Sequence, residues 1–157
     1  MYVGHKDTYP AKPEVGVWLA KEGDLGKKVE ILGENTKRSK VELLKILNEV
    51  KKQDKTICGF GATSKATTVF NYCGIGPDLV PFVTDNTPIK QGKYYPGVHI
   101  PVVSQEVFEL GKTDRSKMIN YAFLGAWNHS KEINKYQFWY KEAGGHWITH
   151  VPRPQIL

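Results

Sequence analysis

The chain has 157 residues, 40% of them hydrophobic and 24% charged, with a formal net charge of +6. That length suits one domain able to bury a core, and no apolar run approaches the ~18 residues of a membrane span. Met1 to Asp7 lack the apolar stretch of a secretory signal, and two cysteines are too few for a disulfide scaffold, so a reducing, cytoplasmic setting is expected.

Residues 1–33 hold Pro10, Pro13 and five glycines with weak periodicity, and read as an extended lead-in with one short element near Val15 to Lys21. The pattern changes at Glu34. Val41, Leu43, Leu44, Ile46, Leu47 and Val50 recur at helical spacing up to Gln53-Asp54. Seven basic residues crowd this stretch between Lys37 and Lys55. Glu34, Glu42 and Glu49 interrupt them and no aromatic residue interleaves, which reads as a solvated helix face and not as a nucleic-acid surface.

Thr56 to Phe60 is a short apolar run ending at Gly61, a strand by length and flanking glycine. Ser64 to Cys73 follows as a helix entered through Thr63-Ser64 and closed by Gly74. Leu79 to Thr84 is a second strand ending at Asp85, although Pro81 cannot donate to a central ladder. A polar loop fills 86–98. His99 to Val103 is the next strand, Ser104 caps a helix through Leu110, and Met118 to Gly125 is a third apolar strand run. Asn128 to Ala143 reads as a second long helix, broken by Gly144-Gly145 before a last strand from His146 to Val151. The expected fold class is therefore α/β, Rossmann-like, with a mostly parallel sheet flanked by helices.

The first strand runs directly into Gly59-Phe60-Gly61-Ala62-Thr63-Ser64-Lys65. Glycines there let backbone approach a ligand, the next helix presents free N–H groups, and Lys65 adds charge, so phosphate is the natural guest. A dinucleotide fingerprint wants a third glycine where Ser64 stands, which disfavours NAD. A tight turn that merely packs helix on strand is the alternative. Asp85 stands where such folds place an acid for a ribose hydroxyl, and Asn128 follows a strand at the same sheet edge; turn and cap roles compete at both. His146 and His150 lie on a strand roughly 13 Å apart, at ~3.3 Å per residue, too far for one metal. Cys58 reads as a core residue and not a nucleophile.

Five blocks in order resemble the C-terminal domain of SAM-dependent sugar C-methyltransferases: Gly59 to Ala66, Asn71 to Leu79, Asp85 to Gly92, Pro96 to Val102, and Ala126-Trp127-Asn128 with Gly144 to Ile148 and Pro152-Arg153-Pro154. The resemblance implies a Rossmann-like domain (34–157) after a lead-in (1–33) that holds the end of a central domain and a linker. It implies a nucleotide-linked keto-deoxysugar, dTDP-sugar-like, as ligand. The expected binding residues are Gly59, Gly61, Ala62, Thr63, Ser64, Lys65, Asp85, Asn86, Lys90, Gln91, Tyr94 and Asn128, with no catalytic residue in this chain. SAM and a structural zinc are expected in upstream domains, with the SAM domain a partner in cis or in trans and the chain inactive alone. A free-standing nucleotide or nucleotide-sugar module is the alternative, and an NAD-dependent oxidoreductase domain a weaker one.

Overall fold

The computed structural model describes Gly4, His5 and residues 8–157. Of the expected tail of a central domain, Tyr2, Val3 and Lys6 lie outside the described residues. The chain divides into two compact units, 1–36 and 37–157.

In the first unit the expected extended lead-in is helical. Helix α1 runs Pro13–Glu22 and α2 Leu25–Lys52, its first three turns in this unit. Pro13 sits at the start of α1, where its missing N–H costs nothing, Glu14 lies in the first turn and Gly23 follows the last. These residues are helix punctuation rather than helix breakers, and Gly26 and Gly33 are carried inside α2 at ~1 kcal/mol each. Every described residue of 1–36 is exposed.

The second unit is built on a six-stranded sheet: β1 Ile57–Phe60, β2 Val83–Asp85, β3 Val102–Ser104, β4 Tyr121–Leu124, β5 His146–Thr149 and β6 Gln155–Ile156. Their spatial order is β3-β2-β1-β4-β5-β6. The first five pair in parallel, and β6 joins β5 antiparallel. The chain steps from β1 outward to β3, then returns across the sheet to β4. The carboxyl ends of β1 and β4 therefore flank a topological switch point, where open α/β sheets hold ligands.

Alternation along the strands sorts the core onto two faces. Ile57, Val83, Phe123 and Ile148 pack with Leu43, Leu47 and Val50 of α2 and Phe70 of α3 (Ser64–Cys73). Cys58, Phe60, Ala122, Leu124 and Trp147 pack on the other face with Phe108 of α4 (Glu106–Thr113) and Tyr140 of α6 (Phe138–Glu142). Phe108, Tyr140 and Trp147 are fully buried in mutual ring contacts with centroids 4.7 to 5.8 Å apart. Each such side chain contributes about 1.5–3 kcal/mol of apolar burial.

Several elements differ from expectation: the run expected over Met118–Gly125 pairs only as Tyr121–Leu124, the last expected strand stops at Thr149, and β6 Gln155–Ile156 was not expected. The second strand is only Val83–Asp85, because Pro81 has no N–H and pairing starts where Phe82 offers its carbonyl to Gly59 N. The third begins at Val102, after the bridge that pairs Tyr94 with Pro101. The expected long helix from Asn128 is a 3-10 turn, Trp127–His129, then α5 Ser130–Tyr136 and α6, with Gln137 off helical geometry at the break.

Candidate functional site at the carboxyl edge of the sheet

Gly61 leaves β1 with φ +88°, a conformation glycine adopts without strain, and turns the chain into α3. Thr63 caps that helix. Its hydroxyl accepts from Ala66 N at 3.1 Å and donates to the Gly125 carbonyl at 2.9 Å, tying the β1 turn to the end of β4. Gly59 has a packing reason: a Cβ there would lie 2.6 Å from Val83 Cγ2.

Asp85 organises the turn. Its Oδ2 accepts from Ala62 N at 2.7 Å and from Lys90 Nζ at 3.1 Å, and its Oδ1 accepts from Thr87 N at 2.8 Å. Burial alone would raise this carboxyl, but the hydrogen bonds from Thr87, Lys90 and Ala62 outweigh it and hold the group below its usual range. Lys90 ends the 3-10 turn Pro88–Lys90 and also donates to the Ala62 carbonyl at 2.8 Å. Gln91 Nε2 donates to the Asp85 carbonyl at 2.9 Å. The loop after β2 is thus cinched onto the β1 turn through one aspartate.

Two clefts open on this rib, and Thr63 and Lys90 line both. The larger, about 660 Å³, reaches from Gly61, Asp85 and Asn86 to α4 and α5. Its far wall is a polar network. Glu109 Oε1 accepts from Gln105 Nε2 at 2.8 Å and Gln137 Nε2 at 3.0 Å, and Glu109 Oε2 lies 3.1 Å from Lys112 Nζ. Burial would raise Glu109, yet the donors Gln137, Gln105 and Lys112 hold it below its usual value. Gln137 is 4% exposed, and its Oε1 accepts from Trp139 Nε1 at 2.6 Å. The smaller cleft, about 330 Å³, lies between Ala62, Ser64 and Thr67 on one side and Ile89, Lys93, Tyr94, Tyr95 and Pro96 on the other.

The expected site residues divide accordingly. Gly61, Thr63, Asp85, Asn86 and Lys90 line the larger cleft; Ala62, Thr63, Ser64, Lys90 and Tyr94 line the smaller. Gly59, Lys65, Gln91 and Asn128 line neither, and Asn128 borders a separate depression with Thr149 and Pro152. Lys65 is exposed one residue into α3, while Lys90 supplies the ammonium at the rib. Gln105, Glu109 and Gln137 escape a reading of the sequence: Gln105 and Glu109 pair four residues apart at the start of α4, but Gln137 reaches Glu109 from 28 residues away. Among the described residues no three His, Cys, Asp or Glu converge as metal ligands. None of the described helices is long and apolar enough to cross a membrane.

A family model described as "C-methyltransferase C-terminal domain" matches residues 1–152. C-methyltransferase NovU of Streptomyces niveus is similar, with 31% identity over 120 residues, which is 76% of this chain and 27% of that protein. The chain thus matches about a quarter of the relative's length.

Proposed function

The chain belongs to the C-methyltransferase C-terminal domain family, and on that premise we propose that it is the nucleotide-sugar-holding part of a SAM-dependent sugar C-methyltransferase. The observation that carries this reading is the pair of clefts at the carboxyl edge of the sheet, joined by Thr63 and Lys90. A polar wall of amides and carboxylates suits sugar hydroxyls. An ammonium beside the start of α3 suits phosphate. A ligand with both, a keto-sugar on a nucleoside diphosphate such as a dTDP-sugar, matches the whole.

The chain's task in this reading is to bind and orient. Asp85 fixes the rib, Lys90 meets phosphate, and the Gln105–Glu109–Gln137 wall meets hydroxyls. On this reading the chain is not the holder of SAM or NAD. A Rossmann cofactor site uses the acid at the end of β2 to take ribose hydroxyls, whereas both oxygens of Asp85 are engaged by Ala62, Thr87 and Lys90. The methyl donor belongs elsewhere in the enzyme, and a base acting on the carbon beside the keto group belongs with it.

Titration of the chain with a dTDP-sugar tests the reading. Binding at about millimolar strength, worth some −4 kcal/mol, is expected, with amide shifts at 59–67, 85–95 and 105–112. Shifts confined to the basic stretch of α2 would refute the site and leave only a general anion surface.

A further inference from the structure

The two clefts differ in charge. The larger is lined by three carboxylates, Asp85, Glu109 and Glu132, against two ammonium groups, Lys90 and Lys112. The smaller is lined by no carboxylate, and adds Lys93 to the shared Lys90, whose ammonium lies 3.1 Å from Asp85 Oδ2. A diphosphate is repelled by the first and drawn to the second. The remainder of the smaller cleft is apolar and aromatic, with Ile89, Tyr94, Tyr95, Pro96 and Val102 on its walls.

Its outer wall holds large apolar side chains in water on a fixed backbone. Tyr94 is 65% and Ile89 74% exposed. The chain between them is clamped to the start of β3, with Gly92 N donating to the Val102 carbonyl at 2.9 Å and Val102 N to the Lys93 carbonyl at 2.8 Å. Tyr95 N donates to the Ile100 carbonyl at 2.9 Å, and the Tyr95 hydroxyl to the Gly61 carbonyl at 3.3 Å. An exposed ring on a pinned loop is a stacking platform whose ordering is already complete before a ligand arrives.

We propose that the smaller cleft takes the nucleoside diphosphate, with the base against Tyr94 and the phosphates at Lys90 and Lys93, and that the larger, acid-lined cleft takes the sugar. The polarity of the ligand across the rib follows: base toward β3, sugar toward α4 and α5. This inference rests on the nucleotide-sugar reading above and adds its orientation.

The test compares dTDP with dTDP-glucose on the whole chain by amide NMR. dTDP is expected to shift residues 62–67 and 89–96, and the sugar to add shifts at 105–112 and 132–137. Tyr94→Ala weakens both ligands about tenfold while Tyr94→Phe restores them, as stacking requires. Because Tyr94 is exposed, the melting temperature of both variants should stay at that of the unsubstituted chain. dTDP shifts falling on 105–112 and 132–137, or an affinity of Tyr94→Ala within about twofold of the parent chain, would overturn the orientation and leave the nucleotide-sugar reading standing. If dTDP-glucose shifted no amide at millimolar concentration, the nucleotide-sugar reading would itself fall, and the orientation with it.

Discussion

Two lysines separate local chemistry from tertiary chemistry. Lys65 follows the glycine turn by sequence, but Lys90 reaches the rib, donating to Ala62 and Asp85 while lining both clefts. Lys90→Ala is therefore expected to weaken dTDP-sugar binding by about 1.5–3 kcal/mol, the worth of a charge-assisted hydrogen bond. Its effect on stability is expected to stay within about 1 kcal/mol, since the lysine is partly exposed. Lys65→Ala should leave affinity within about twofold; calorimetry on both variants checks the contrast. Titratable groups set the acid response. His150 stacks on Phe123 at 5.3 Å with its Nδ1 buried and unpartnered, and burial lowers its folded pKa. The unfolded chain then binds the extra proton, so this stability is present above about pH 6.5 and declines as pH falls below it. Asp85 and Glu109 are also lowered, so their contribution is full above about pH 4.5 and is lost as pH falls through their folded values. Thermal melts from neutral pH downward should show two successive losses. Substituting His150→Phe should remove the first and Asp85→Asn should blunt the second.

At the scale of elements, the βα turn is held by side chains that the sequence places and a neighbour that it does not. Thr63 as helix cap and Gly74 as helix stop follow from local residue preference, and α3 spans Ser64–Cys73 as its pattern requires. The partner of the Thr63 hydroxyl, the Gly125 carbonyl, follows the end of β4, 62 positions away. Thr63→Ala is expected to cost about 1–2 kcal/mol, the upper part of the capping range, because two hydrogen bonds go together. Gly125→Ala should cost more than a surface substitution, since its Cβ would fall against the Gly61 carbonyl oxygen, backbone that cannot swing aside. Urea unfolding of both variants reads these values. The broken helix after Trp127 was not legible. Residues 128–143 contain no proline, and only the demand of Gln137 for Glu109 and Trp139 accompanies the interruption.

For the whole molecule, no residue of 8–36 is buried, while the core of the second unit draws on α2 only from Leu43 onward. A chain starting at Lys37 is therefore expected to keep the near-UV circular dichroism and dTDP-sugar affinity of the 157-residue chain. Loss of the cooperative melt on that truncation would show that the first unit is needed for the fold. The order of β1 to β5, the helix α3 between β1 and β2, the glycine turn, the cap at Thr63 and the acid at the end of β2 were set by the sequence alone, because hydrophobic period and turn chemistry act over a few residues. Helix in the first unit was hidden by proline and glycine that punctuate as readily as they break. The carboxyl-edge site could be anticipated from the switch-point rule, yet its walls could not. Gln137 joins the local Gln105–Glu109 pair only when the chain after α5 packs over the sheet, and Asp85, already bonded locally to Thr87 and Lys90, closes into a hub only when Ala62 arrives beside it. Contacts of that kind join residues 23 to 28 positions apart, and chain folding in three dimensions decides them because no local pattern encodes which distant donor meets which acceptor.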